Sequence, residues 1–328
     1  MEAIIRDYLE KILFGEMQIH KHVAVIPIIG GNGAGPDYLT MKEALEGNFL
    51  RVMELTEGGH VPELKVLNGA DKAVLLLDGE ELVGAKQNRV LNTTILLREK
   101  SETVIPVSCT EHGRWSYSSS YFQESGHIMS AKLRNIKNLS VAENLKRSRG
   151  FQSDQGTVWN CIADQAHVNK VTTITGAMKD VLDARQEDMD TFLEYFPPVA
   201  NQQGILVLVN GKVIGLDVVS RALAFRTLHP KLIRSYVMDA LTEKPATAKT
   251  PTREKADAFL KRIFRCQEHP FDSVGYGRDY RYEGKKIVGS ALVHDSTMIH
   301  MAFFQITETE KAGRMSSVSR RRAYRTNQ

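Results

Sequence analysis

The chain has 328 residues, 42% hydrophobic and 25% charged, a globular composition that excludes a long disordered, collagen-like or disulfide-stapled protein. Its formal charge of +4 hides an asymmetry: Lys311, Arg314, Arg320, Arg321, Arg322 and Arg325 give the tail +6 with no acid, leaving −2 for the body. Such a body is not a nucleic-acid-binding surface by composition, and no apolar run approaches the roughly 20 residues that span a bilayer.

Residues 1–15 carry Ile4, Ile5, Tyr8, Leu9, Ile12 and Leu13 at helical spacing, which predicts a surface helix stopped by Gly15 and not a signal peptide. The expected compartment is the cytoplasm, and the three scattered cysteines, Cys109, Cys161 and Cys266, suit a reducing one. Residues 23–29 read as a strand that Pro27 should place at an edge or a bulge. The glycine-rich stretch 30–35 is followed by Pro36 and Asp37 before the next helix, so it reads as a surface loop and not a phosphate cradle. Thr40 with Glu43 forms a capping box for a short helix. Strands are expected at 50–55, 64–68, 73–77, 92–97 and 103–108, separated by glycine turns.

Beyond residue 150 the periodicity becomes helical. One helix carries Val158, Ile162 and Val168; a second runs from Met178 through Leu182, Met189 and Phe192 to Phe196, stopped at Pro197 and Pro198. A hairpin at 204–216, a helix opened by Pro230, a linker at 242–249 and a helix capped by Thr250 and Pro251 follow, with strands at 286–293 and 298–306. The expectation is an α+β fold: a mixed, mostly antiparallel sheet with repeated β-hairpins, and helices concentrated in the second half. Residues 1–310 form one domain on this reading, and 311–328 a basic disordered tail. Three glycine turns, at Asp78-Gly79, Asn210-Gly211 and Glu283-Gly284, each lead through an apolar pair to a second glycine. Either these are three ordinary hairpins or an internally duplicated unit.

Two polar clusters carry potential chemistry. Lys86, Gln87, Asn88 and Arg89 stand in succession before Asn92, Thr93 and Thr94, and as a strand neither face could be buried without leaving donors unpaired. One polar face therefore lines a wet cleft, or the strand is an exposed edge. The second cluster ends a strand: Cys109, Glu111, His112, Arg114, Trp115 and Tyr117. Lys86, Arg89 and Arg114 suit an anionic ligand, Trp115 can stack a base or sugar, and Glu80, Glu81 or Glu111 could do acid–base work. The same residues also suit a structural ion-pair network. No histidine pair has zinc spacing, so no metal is expected; Cys109 near His112 is no catalytic dyad by sequence proximity alone, and His127 and His229 read as loop or cap residues.

The stretches LLLDGEELVGAKQNRVLNTT, residues 75–94, and IPVSCTEHGRWSY, residues 105–117, resemble the most distinctive segments of a mainly prokaryotic family, the ARG and rhodanese-phosphatase-superfamily-associated protein domain. Weaker matches include Thr175-Gly176-Ala177, Ser235-Tyr236 and the segment around His294. The matched polar residues are Glu81, Lys86, Gln87, Asn88, Arg89, Asn92, Cys109, Glu111, Arg114 and Trp115. The resemblance implies a setting in nucleotide or ADP-ribose metabolism, with phage defence as one context, and transfers no reaction and no cofactor.

The functional expectation is a cytosolic protein that binds, and in a further step hydrolyses, an NAD-derived nucleotide such as ADP-ribose. Lys86, Arg89 and Arg114 would hold the diphosphate, Asn88 and Asn92 the ribose hydroxyls, and Trp115 the base or ribose, with Gln87 a further binding residue and Glu81 or Glu111 the general base or the stabiliser of an oxocarbenium-like centre. The alternative is a non-catalytic homo-oligomeric sensor or assembly module whose hairpin edges pair between subunits. Nucleic acid is assigned at most to the tail, and no membrane partner is expected.

Overall fold

The computed structural model describes residues 1–30, 35–56, 58–246 and 250–307. The tail, most of the glycine-rich loop and the end of the linker lie outside the described residues. The chain runs α1 (Ala3–Glu10), β1 (Leu13–Phe14), β2 (Gln18–His20), β3 (Val23–Ile29), β4 (Tyr38–Thr40), α2 (Met41–Glu46), β5 (Leu50–Glu54), β6 (Glu63–Asn68) and β7 (Ala73–Leu76). Next come β8 (Glu80–Gly84), β9 (Arg89–Leu91), β10 (Ile95–Leu97), β11 (Ser101–Cys109) and β12 (Phe122–Ile128). Four helices follow, α3 (Ala131–Lys146), α4 (Gln155–Val168), α5 (Met178–Asp183) and α6 (Gln186–Leu193), and then β13 (Gln202–Val209) and β14 (Lys212–Val219). The last elements are α7 (Ala222–Ala240), α8 (Arg253–Ile263), β15 (Gln267–Asp272), β16 (Arg278–Glu283), β17 (Ile287–His294) and β18 (Thr297–Gln305). The class is α+β, with mostly antiparallel pairing and helices weighted toward the second half. Among the described residues, no helix is long and apolar enough to cross a membrane.

Three β units share the work. A nine-stranded sheet runs β1-β3-β13-β14-β18-β17-β16-β15, with β2 also on β3. A small sheet orders β10-β7-β4, and β11-β6-β5-β12-β8-β9 close a barrel. The barrel is filled by inward residues at every second position: Leu50 and Val52, Leu64 and Val66, Leu82, Leu91, Ile105, Val107 and Phe122. Thr40 and Glu43 form the expected capping box, Glu43 Oε2 taking the Thr40 N–H at 2.7 Å and Thr40 Oγ1 the Glu43 N–H at 3.3 Å.

Several boundaries differ from the periodicity reading. α1 ends at Glu10, and Gly15 instead donates its N–H to the Pro27 carbonyl at 2.8 Å. β3 is no edge: β13 pairs along it on one side, while β1 and β2 divide the other, leaving Pro27 between their two registers where no donor is needed. Pro230 lies inside α7 and does not open it. The expected helix from Met178 to Phe196 is two, parted at Ala184 and Arg185 by an Arg185 N–H to Leu182 C=O turn of 3.1 Å. α8 starts at Arg253 with Thr252 as its cap residue. The expected strand 92–97 is interrupted because Asn92, Thr93 and Thr94 carry the chain from the barrel to the small sheet.

Of the three similar turns, Asn210-Gly211 and Gly284 join paired strands of the large sheet. The first does not: β7 pairs with β10 and β4, whereas β8 pairs with β12 and β9. Gly79 there has φ +86°, and a Cβ on it would lie 2.9 Å from Arg134 Cδ. Gly79→Ala should therefore lower stability by about 1–3 kcal/mol in urea unfolding, from backbone strain plus displacement of Arg134. An unchanged midpoint would show that the turn relaxes freely.

Helix α3 has no counterpart in the periodicity reading, because it is buried on several sides and mixes polar residues with Leu133, Leu139, Val141 and Leu145, so its apolar positions form no single stripe. Arg134, Lys137 and Asn138 stand at i, i+3 and i+4, all buried. Arg134 makes a bidentate pair with Asp217 of β14 at 2.9 and 2.7 Å. Lys137 binds Asp78 and the Leu91 carbonyl, and Asn138 donates to Asp78 at 3.1 Å. Asp217 also accepts from Tyr236 at 2.7 Å and faces His300 Nε2 at 3.2 Å, while His300 Nδ1 meets Thr94 Oγ1 at 2.8 Å. Arg281 closes the network on Asp279, Thr93 and Asn138. The helix thus joins sheet and barrel through charges that satisfy one another.

Candidate functional site

The two motifs meet at one end of the barrel, with the last turn of β11 beside the loop between β8 and β9. Cys109 sits directly opposite Arg89 in the β11–β9 ladder, and Arg89 opposite Leu82 in the next, so Arg89 and Cys109 share the inward face. The alternation Leu50, Val52, Glu54 brings Glu54 to the same end. The apolar filling of the barrel therefore stops at a polar plug of Glu54, Arg89, Cys109 and Gln87.

Arg89 is 0% exposed. Its Nη1 donates to Gln87 Oε1 at 3.2 Å and to the Asn88 carbonyl at 3.3 Å, while Nε and Nη2 have no hydrogen-bond partner among the described residues. The nearest carboxylate oxygen of Glu54 is 3.9 Å from Nη2, and the second Glu54 oxygen is also unpartnered. Burial pushes the guanidinium pKa down, against the pull of Cys109 and Glu54. Burial likewise pushes the Cys109 thiol up; it lies 3.2 Å from Gln87 Oε1 and 3.1 Å from the Glu111 carbonyl.

An aromatic lid covers the plug. Trp115, 49% exposed, has its ring 5.8 Å from the Arg89 guanidinium and 5.4 Å from the Lys86 ammonium, and Tyr117 lies 5.1 Å from the same ammonium. Lys86 Nζ donates to the Gly58 carbonyl at 2.7 Å. Gly59, at φ +78°, lets the chain pass beneath: a Cβ would lie 3.1 Å from both Trp115 and Lys86.

Arg114 and Glu111 converge on each other. The guanidinium grips the carboxylate at 2.9 Å (Nε–Oε1) and 2.6 Å (Nη2–Oε2) and spends its remaining donors on the Ala85 and Ser116 carbonyls and Asn88 Oδ1. Burial alone would raise the Glu111 carboxyl, but Arg114, the Asn88 N–H and Thr175 outweigh it and hold the pKa below the ordinary range. The pair pins the β8–β9 loop to the β11 loop. Asn92 is equally engaged, donating to the Phe151 carbonyl at 3.0 Å and accepting from Ser108 at 2.6 Å.

Glu81 faces the other side of the wall, opposite Val90. It is fully buried, accepts from Thr110 Oγ1 at 2.7 Å, and burial pushes its pKa up to about 8 against the Thr110 and Ser125 hydroxyls. The candidates thus divide into Arg89, Gln87, Lys86 and Trp115 at the barrel mouth, a neutralising Glu111–Arg114–Asn88 clamp at its rim, and Glu81 with Asn92 buried elsewhere. Glu54 was missed because a lone acid before a turn carries no motif; only its period-two phase with Leu50 and Val52 marks it as inward. No group of His, Cys, Asp and Glu able to hold a metal occurs among the described residues.

The model of the ARG and Rhodanese-Phosphatase-superfamily-associated Protein domain matches residues 11–304. No curated protein and no solved structure matches the chain.

Proposed function

The chain belongs to the ARG and Rhodanese-Phosphatase-superfamily-associated Protein domain family, and we propose that it binds an NAD-derived nucleotide such as ADP-ribose, in the cytosol, at the mouth of its barrel. The observation that carries the reading is Arg89: a buried cation whose Nε and Nη2 have no hydrogen-bond partner among the described residues, beneath a half-exposed indole. A buried donor left unpaired costs about 1–3 kcal/mol, which an incoming phosphate oxygen would recover. On this reading Trp115 swings aside and stacks on the base, Lys86 leaves Gly58 for the diphosphate, and Gln87 holds Arg89 in place. Asn88, Glu111 and Arg114 keep the rim shaped, and Asn92 anchors the strand behind it.

Of the two carboxyls expected to act in hydrolysis, Glu111 stands at the rim, held ionised by Arg114, whereas Glu81 faces the other side of the barrel wall, so the binding reading carries no hydrolytic step for the pair.

Titration calorimetry with ADP-ribose, NAD and AMP tests the binding claim. Saturable binding is expected below about 1 mM, weakened about ten-fold in Trp115→Ala and in Lys86→Ala. Both side chains are at the surface, so the variants should fold. Absence of heat from folded protein at that concentration, or equal affinity in both variants, refutes the assignment.

A further inference from the structure

The barrel wall is uneven. β5 pairs with β6 from Leu50 to Glu54, yet it meets β12 at one pair, Val52 with Phe122. The next two positions, Leu50 and Arg51 facing Gln123 and Glu124, are laddered only to their other neighbours, β6 and β8. The strands splay there, and the gap opens into a hollow of about 580 Å³ lined by those four residues, Tyr121, and Lys42, Leu45 and Glu46 of α2. That volume lies within the range of small-molecule sites.

Its chemistry is polar and two-signed. Glu124 is gripped by Lys231, a buried amine that also grips Glu80, whose other oxygen accepts the Leu77 N–H at 2.8 Å. Two carboxylates on one ammonium leave Glu124 an oxygen without a partner among the described residues. At the rim Arg51 makes no ion pair among the described residues, Lys42 reaches Glu46 only at 3.8 Å, and Tyr121 exposes 47% of its surface. Splayed strand edges present N–H and C=O groups that a ligand rich in hydroxyls can meet, as can Gln123 and the free Glu124 oxygen. Arg51 and Lys42 suit a terminal phosphate, and the Tyr121 ring suits the apolar face of a sugar.

We propose that this seam between β5 and β12 is a binding site for a phosphorylated sugar, separate from the barrel mouth. The phosphate sits on Arg51 and Lys42, the ring on Tyr121, and the hydroxyls on Glu124, Gln123 and the open strand edges.

Titration calorimetry of the full chain with ribose 5-phosphate, ribose and inorganic phosphate tests it, with circular dichroism confirming the fold of each variant. Ribose 5-phosphate should bind saturably and about ten-fold tighter than either fragment, and Arg51→Ala should weaken it about ten-fold. Tyr121→Ala should weaken it several-fold, and Trp115→Ala should leave it unchanged. No saturable heat up to about 10 mM, equal binding of inorganic phosphate alone, or unaltered affinity in Arg51→Ala and Tyr121→Ala overturns the proposal. Loss in Trp115→Ala alone would move the ligand to the mouth and also overturn it, leaving the nucleotide reading standing.

Discussion

Replacing Asp217 by asparagine is expected to lower the unfolding free energy by about 3–5 kcal/mol, the cost of leaving a buried cation without its counter-ion. The shape is nearly conserved, so the effect isolates charge. Asp217 is surrounded by Arg134, Tyr236 and His300, all buried. Burial alone would raise its pKa, yet Arg134 and His300 outweigh it and hold the carboxyl at about 2. The asparagine keeps one oxygen for Tyr236 or Arg134 but cannot serve as an anion to both edges of the guanidinium. Urea unfolding monitored by tryptophan fluorescence measures the loss. Arg134→Met in the Asp217→Asn background should recover a substantial part, since the orphaned charge is then gone. A single variant that loses under 1 kcal/mol would mean that Asp78, 3.7 Å from Arg134 Nε, already carries the cation.

The second large effect concerns Glu81 and pH. Its folded carboxyl titrates at about 8, against an ordinary value of 4.5. Between those values the native chain keeps a proton that the unfolded chain releases, so stability falls as pH rises through that window. The contribution is complete below about pH 4.5 and is lost as pH rises through about 8, amounting to roughly 5 kcal/mol at most. Glu81→Gln, which keeps the Thr110 contact and cannot ionise, should flatten this segment of the curve and exceed the wild type in stability near pH 8. Denaturation midpoints measured from pH 5 to 8 in the two proteins give the comparison. Parallel curves would show that Glu81 is ionised throughout.

Where hydrophobic repetition is strong, the chain announces its elements. Barrel strands β5, β6 and β11, the 204–216 hairpin, α4 and the capping box of α2 stand where alternation or capping chemistry places them, whereas β12 has no counterpart in that reading. Two of the failures share one cause, polar residues facing inward. α3 buries Arg134, Lys137 and Asn138, so no apolar stripe betrays it. Asn92, Thr93 and Thr94 look like strand residues but serve as anchors to Phe151, Asp279 and His300, and the strand breaks there. The same blindness touches the candidate site. That Lys86, Arg89, Glu111 and Arg114 gather was legible from their clustering and from the family resemblance. Their division of labour was not, because Arg114 meeting Glu111, and Arg89 pointing into a barrel while Glu81 points out, depend on pairing across strands.

Helix α3 also has a consequence for how uniquely the chain folds. Oily contacts grade smoothly, so a helix seated on leucines can slide or roll with small loss. Here Arg134, Lys137 and Asn138 each have a fixed set of counterparts on separate elements. Moving the helix by one residue turns its face through about 100° and strands every one of them at once. Near-miss arrangements of the two halves are thereby made costly, and the joint between them behaves as a keyed lock.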